Sequence, residues 1–124
     1  MRKILFRGKR VDNGEWTEGY FFKSWDKVFL LWGMTGDSPN MEEVIPETVG
    51  QYTGLIDKND KKIFEGDILL KGFEKVLVKW NANQCRWGIY SNNYEICGFN
   101  ESTQGYFEVI GNVHDNSELL GVEE

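Results

Sequence analysis

A chain of 124 residues is long enough for one domain with a real core, and 40% apolar content with 15% aromatics excludes a disordered chain. A formal net charge of −6 works against nucleic acid as a general partner. No apolar run approaches the roughly 20 residues of a membrane helix, and MRKILFRGKR lacks the apolar segment of about 7–15 residues that a secretory leader needs. The expectation is therefore a cytoplasmic protein with no membrane contact.

Ile4-Leu5-Phe6 reads as a first strand, set among Arg2, Lys3, Arg7, Lys9 and Arg10. These five cations stand without an acid in the first ten residues, which leaves nine basic residues against all twenty acidic ones in the remainder. Such a start suits phosphate, an acidic neighbour, or the acidic surface of this chain or of a second copy. Asp12-Asn13-Gly14 signals a hairpin, because Asn and Gly accept the positive φ of tight turns. Trp16 to Trp25 and Lys27 to Trp32 then read as strands, with Tyr20-Phe21-Phe22 at the centre of the first. Gly33 to Asn40 reads as a loop, and Ser38-Pro39 as the start of a helical turn over Asn40–Glu43 that Pro46 ends.

Val49 to Thr53 resumes extended structure, and Asp57 to Asp60 reads as a turn. Ile63-Phe64 and Asp67 to Lys71 are predicted strands with Gly66 as a kink between them. Lys75 to Trp80 alternates, setting Val76, Val78 and Trp80 on one face. Trp87 to Tyr90 and Tyr106 to Val113 are two more strands, and Ser117 caps a last turn through Leu120. Eight or so short strands indicate a mainly β fold, a partly open barrel or a sandwich, with little helix. Glu123-Glu124 reads as a solvated tail.

The chemistry-bearing residue types form no catalytic pattern. Asp57, Asn59 and Lys61 have the spacing of a calcium loop, but Lys62 and Ile68 stand where glycine and glutamate are required. Cys85 and Cys97, with His114 as the single histidine, lack the paired close spacing of a zinc site and any nucleophile motif, and read as half-buried reduced thiols. Gly50 to Gly54 lacks the lysine and following helix of a phosphate cradle. Exposed aromatics among the N-terminal cations would suit single-stranded nucleic acid. The competing reading makes Trp16, Trp25, Trp32, Trp80 and Trp87 core or interface anchors.

Three phrases carry a resemblance. They are KILFRGKRVDNGEWTEGYF, PETVGQYTGLIDKNDKKIFEGDIL and FEVIGNVHDNSELL, and together they resemble the YopX family of phage and prophage proteins over Lys3 to Leu120. The middle phrase is the family's signature. Gly50, Gln51, Tyr52, Thr53, Gly54, Asp57, Glu65, Gly66 and Asp67 carry it here, with Ser117 and Asp60 departing from the usual proline and glycine. The resemblance implies a single domain over 1–124, encoded by a phage or prophage and acting in the bacterial host. It implies neither enzymatic activity nor cofactor.

Within that domain, residues 1–60 are expected to supply N-terminal strands and a loop, and 61–114 a barrel-like half with an SH3-like strand entry at Glu65-Gly66-Asp67. Residues 115–124 are expected to form a turn and tail. The signature residues are expected to shape the backbone. Arg2, Lys3, Arg7, Lys9 and Arg10 form the candidate interaction patch. The expected mode of action is non-enzymatic protein–protein contact, with a second copy or with a host or phage protein. Nucleic acid is the alternative partner.

Overall fold

The computed structural model describes residues 3–120, so Arg2 and the Glu123-Glu124 tail lie outside the described residues. The protein is mainly β, as expected: among the described residues eleven strands are joined by turns, and the helical elements are three short 310 turns. The chain folds as two compact units, one up to Tyr52 and one from Thr53 onward.

The first unit contains β1 (Phe6–Lys9), β2 (Trp16–Ser24), β3 (Lys27–Thr35) and β4 (Ser38–Val44), followed by a 310 turn at Pro46–Thr48. Strand β5 (Gly50–Ile56) then carries the chain into the second unit. The strands pair antiparallel in the order β4-β3-β2-β1-β5. β2 is shared: its first residues pair with β1, from Phe6 against Gly19 to Lys9 against Trp16. Its later residues pair with β3, from Tyr20 against Leu31 to Ser24 against Lys27. The end of β1 returns to the end of β4, where Arg10 bridges Val44, Val11 N–H donates to the Glu43 carbonyl (2.9 Å) and Ile45 N–H donates to that of Lys9 (2.8 Å). The sheet is thus rolled. Val28, Leu30 and Val44 are buried on its inner side, with Phe6 and Val49 packed against them.

Strand β4 corrects the expected loop and helical turn over residues 33–43. Gly36 takes the left-handed φ of 62° that lets β3 turn back. Pro39 is tolerated because β4 ends the ladder, where a missing N–H costs no pairing. The first strand lies two residues later than expected, leaving Ile4 exposed. At Pro46 the chain makes a 310 turn with proline in its first turn, after an extended Ile45.

The second unit holds β6 (Lys62–Phe64), β7 (Asp67–Lys71), β8 (Glu74–Asn81), β9 (Arg86–Ser91), β10 (Tyr94–Gly98) and β11 (Glu108–Asn112). Five of these form an antiparallel sheet in the order β10-β9-β8-β7-β11. Leu55, Ile63, Leu69, Val76, Val78, Ile89, Phe99 and Phe107 make its core. Val76 and Val78 are inward as their alternation predicts. Trp80 stays exposed and packs edge-on against Trp87, ring centres 5.1 Å apart. The sheet is open, with β10 and β11 as its edges, and no closed barrel forms among the described residues.

Strand β10 is an addition to the strands expected from the sequence. It follows a two-residue loop in which Asn92 (φ 52°) and Asn93 (φ 70°) are both left-handed, the mirror-image turn that hairpins favour. Residues 104–106 form a 310 turn, so the last strand begins at Glu108 and not at Tyr106.

Candidate interaction surface

The signature phrase builds backbone. Within the first unit, Gly50 pairs with Arg7, Gln51 pairs with Phe6, and Tyr52 N–H donates to the Leu5 carbonyl (2.7 Å). Within the second, the Thr53 hydroxyl donates to the Ile63 carbonyl (2.8 Å) and accepts from Leu55 N–H (3.1 Å), and Gly54 takes a φ of 87°. Asp57 does the most. Its buried carboxylate accepts from Asn59 N–H (2.8 Å) and Lys61 N–H (2.9 Å) in its own turn, and from Val109 N–H (2.9 Å) in β11. Burial pushes this carboxyl up, but the N–H groups of Val109, Lys61 and Asn59 outweigh it and hold it below the ordinary aspartate range.

The Glu65-Gly66-Asp67 step is a second junction. Gly66 turns with a φ of 89°, donates to the Val78 carbonyl (2.9 Å) and accepts from Val113 N–H (2.8 Å). Asp67 is buried and accepts from Phe64 N–H (2.8 Å). Only a residue without Cβ adopts such a φ cheaply while both its backbone groups are bound. Glu65 is half-buried beside it.

The expected basic patch is divided. Arg10 is held by Asp12 in a two-pronged contact (3.0 and 2.8 Å) and by Glu42 (3.1 Å). Arg7 and Lys9 lie over the indole of Trp16, at 4.7 and 5.7 Å from its ring centre. Lys3 is exposed. Arg7 and Lys9 alternate with Arg10 along β1, so the strand sends the first two to the outer side of the roll and Arg10 to the other.

The outer side of β2, β3 and β4 is a surface beyond the patch expected from the sequence. The registers that set Tyr20 against Leu31 against Met41, and Phe22 against Phe29 against Glu43, bring these side chains to one surface. Tyr20 is 61% exposed, Phe22 48% and Met41 42%, and a shallow, almost wholly apolar groove of about 340 Å³ runs between Tyr20, Phe22, Leu31, Pro39 and Met41. The signal was present as Tyr20-Phe21-Phe22. With β4 read as a loop, there was no third strand to complete a face.

Trp87 packs against the core of the second unit, and the other tryptophans stand outside the buried clusters of the described residues. Trp16 and Trp87 are half-buried, Trp32 and Trp80 are exposed, and Trp25 stands 92% exposed at the tip of the β2–β3 hairpin. Cys85 and Cys97 are both exposed, correcting the half-buried expectation, because Cys85 falls in the β8–β9 loop and Cys97 on edge strand β10. Among the described residues no group of three His, Cys, Asp or Glu side chains gathers to hold a metal, and no helix is long and apolar enough to cross a membrane.

These features define a mainly β protein of short antiparallel strands, with a signature phrase that ties its backbone and an aromatic surface on its first unit. A family model described as YopX protein matches residues 6–121, and the chain belongs to the YopX family. The crystal structure of protein EF1440 from Enterococcus faecalis is similar in fold: 23% identical, covering 97% of this chain and 99% of that one, with a TM-score of 0.58. No match was found among curated proteins.

Proposed function

We propose that this protein is a phage- or prophage-encoded, non-catalytic component of the bacterial cytoplasm that acts through protein–protein contact. The contact surface is the aromatic outer side of β2, β3 and β4, and the occupant is a second copy. The carrying observation is that Tyr20, Phe22, Leu31 and Met41 line one apolar groove open to solvent. Contiguous apolar surface of this kind marks interaction sites on soluble domains. Flanking charges suit a two-fold contact. Glu18, Arg7 and Lys9 lie towards one end of this face, and Lys27 and Glu43 towards the other. An isologous pairing that reverses the strands sets each end against the opposite one, with both signs present in each.

The basic N-terminal segment favours the alternative, nucleic acid, less well. Arg10 is already neutralised by two carboxylates, and Arg7 faces away from it. Sedimentation velocity across a dilution series tests the leading reading. The wild type is expected to shift to dimer as concentration rises, and Phe22→Glu to remain monomeric with an unchanged circular dichroism spectrum. A wild type that stays monomeric at the highest concentration, or a Phe22→Glu variant that dimerises equally well, overturns it.

A further inference from the structure

The second unit carries a groove of about 570 Å³ on the side of its sheet opposite the core. Lys75, Leu77 and Lys79 project into it from β8, alternating with the buried Val76 and Val78. The register that sets Leu77 against Tyr90 brings Lys75 level with the Asn92-Asn93 turn. Val113 and Leu120 add apolar wall. The volume falls within the roughly 300–1,000 Å³ of small-molecule sites.

Charge gives the groove its character. In a chain of net charge −6, no carboxylate among the described residues lines it. Neither Lys75 nor Lys79 has an ion pair among the described residues, whereas Arg10 has two and Lys58 and Arg86 have one each. Lys79 lies over the Tyr90 ring, 4.8 Å from its centre, which orients the ammonium without neutralising it. Four positions along a strand set the two lysine backbones about 13 Å apart, with Leu77 midway. Asn92 and Asn93 bring amide N–H donors to one end.

We propose that this groove binds a small amphipathic anion. Its anionic head, a phosphate or a carboxylate, sits against Lys75 and the Asn92-Asn93 turn. Its short apolar or aromatic body lies over Leu77, Val113 and Leu120, and Lys79 faces its far end. The site is independent of the aromatic surface on the first unit.

The test is a chemical-shift titration of the isotope-labelled full chain with phenyl phosphate, benzoate, inorganic phosphate and phenol. At least one of phenyl phosphate and benzoate is expected to shift the amides of Leu77, Tyr90 and Asn92 saturably, and the tighter of the two identifies the head. Inorganic phosphate and phenol are expected to bind at least about tenfold more weakly, since each lacks one half of the ligand; a factor of ten corresponds to about 1.4 kcal/mol. Replacing both lysines, Lys75→Gln with Lys79→Gln, is expected to weaken the better probe by at least the same factor while leaving shifts elsewhere in place. Both side chains point away from the core, so the variant retains its fold, which circular dichroism checks. No saturable shift from either organic probe, equal binding of inorganic phosphate, or undiminished binding by the double variant overturns the proposal.

Discussion

Asp57 shows how one side chain fixes long-range structure. Its carboxylate binds two amides of its own turn and one from Val109, 52 residues away in sequence. Asp57→Asn keeps only one carbonyl oxygen, so its NH2 confronts either the Val109 N–H or the two turn amides. Leaving a buried donor unsatisfied costs about 1–3 kcal/mol, which urea unfolding at neutral pH measures. The carboxyl is held below its ordinary value in the folded state, so its contribution is fully present above about pH 3.9 and fades as pH falls through the folded value. The gap between wild type and variant is therefore expected to narrow on acidification. A gap that is constant from neutral pH to pH values well below the aspartate range would show that the charge is not what stabilises the turn.

At the scale of the element, the pairing of β2 with β3 depends on a close approach. Gly19 is buried, and a Cβ there would stand 2.5 Å from the Leu31 carbonyl oxygen and 2.9 Å from its carbon. Those atoms are backbone and cannot turn aside as a side chain tip would. Gly19→Ala is expected to push β2 from β3 and to destabilise the protein by about 1–3 kcal/mol, the range for overpacking. It is also expected to disturb the aromatic surface, which rests on the Tyr20–Leu31 register. Thermal unfolding and the chemical shifts of Tyr20 and Leu31 check this. A variant with wild-type stability would mean that the two strands separate freely here.

Elements also mark where the sequence was legible. Alternation revealed β8, and Asp-Asn-Gly revealed the turn before β2, because both signals are local. Asn92-Asn93 was equally local, a two-residue mirror-image turn, and reading it would have placed β10. Strand β4 was not legible. Ser38-Pro39-Asn40-Met41-Glu42-Glu43 has poor strand propensity, and it is extended because β3 and the end of β1 pair with it. The bond from Asp57 to Val109 had no sequence signal either, since nothing local names the distant amide. The aromatic surface was half legible, through Tyr20-Phe21-Phe22, and needed β4 to become a face.

At the scale of the whole molecule, the two units have unequal cores. Among the described residues, a cluster of three buried side chains, Val28, Leu30 and Val44, centres the first, whereas a cluster of eight centres the second. Stability against local opening follows buried apolar contact. Backbone amides of β3 are therefore expected to exchange with solvent faster than those of β8. Leu30 is fully buried, and Leu30→Ala is expected to cost about 2–5 kcal/mol, accelerating exchange in β2, β3 and β4 well before β8. Self-association through the outer face would slow exchange in the first unit as concentration rises, so exchange measured at two concentrations links this prediction to the proposed contact. Uniform protection across both units would contradict the unequal-core account.

The edge-on pair of Trp80 and Trp87 has a spectroscopic consequence. Two indoles 5.1 Å apart at 74° are placed so that their electronic transitions couple. Coupled chromophores in a chiral frame give a paired positive and negative band in the ultraviolet circular dichroism spectrum. Trp80 and Trp87 face one another across β8 and β9, so that band is an optical signature of one strand pairing. The chain thus carries, without any label, a reporter of whether the sheet of its second unit is assembled.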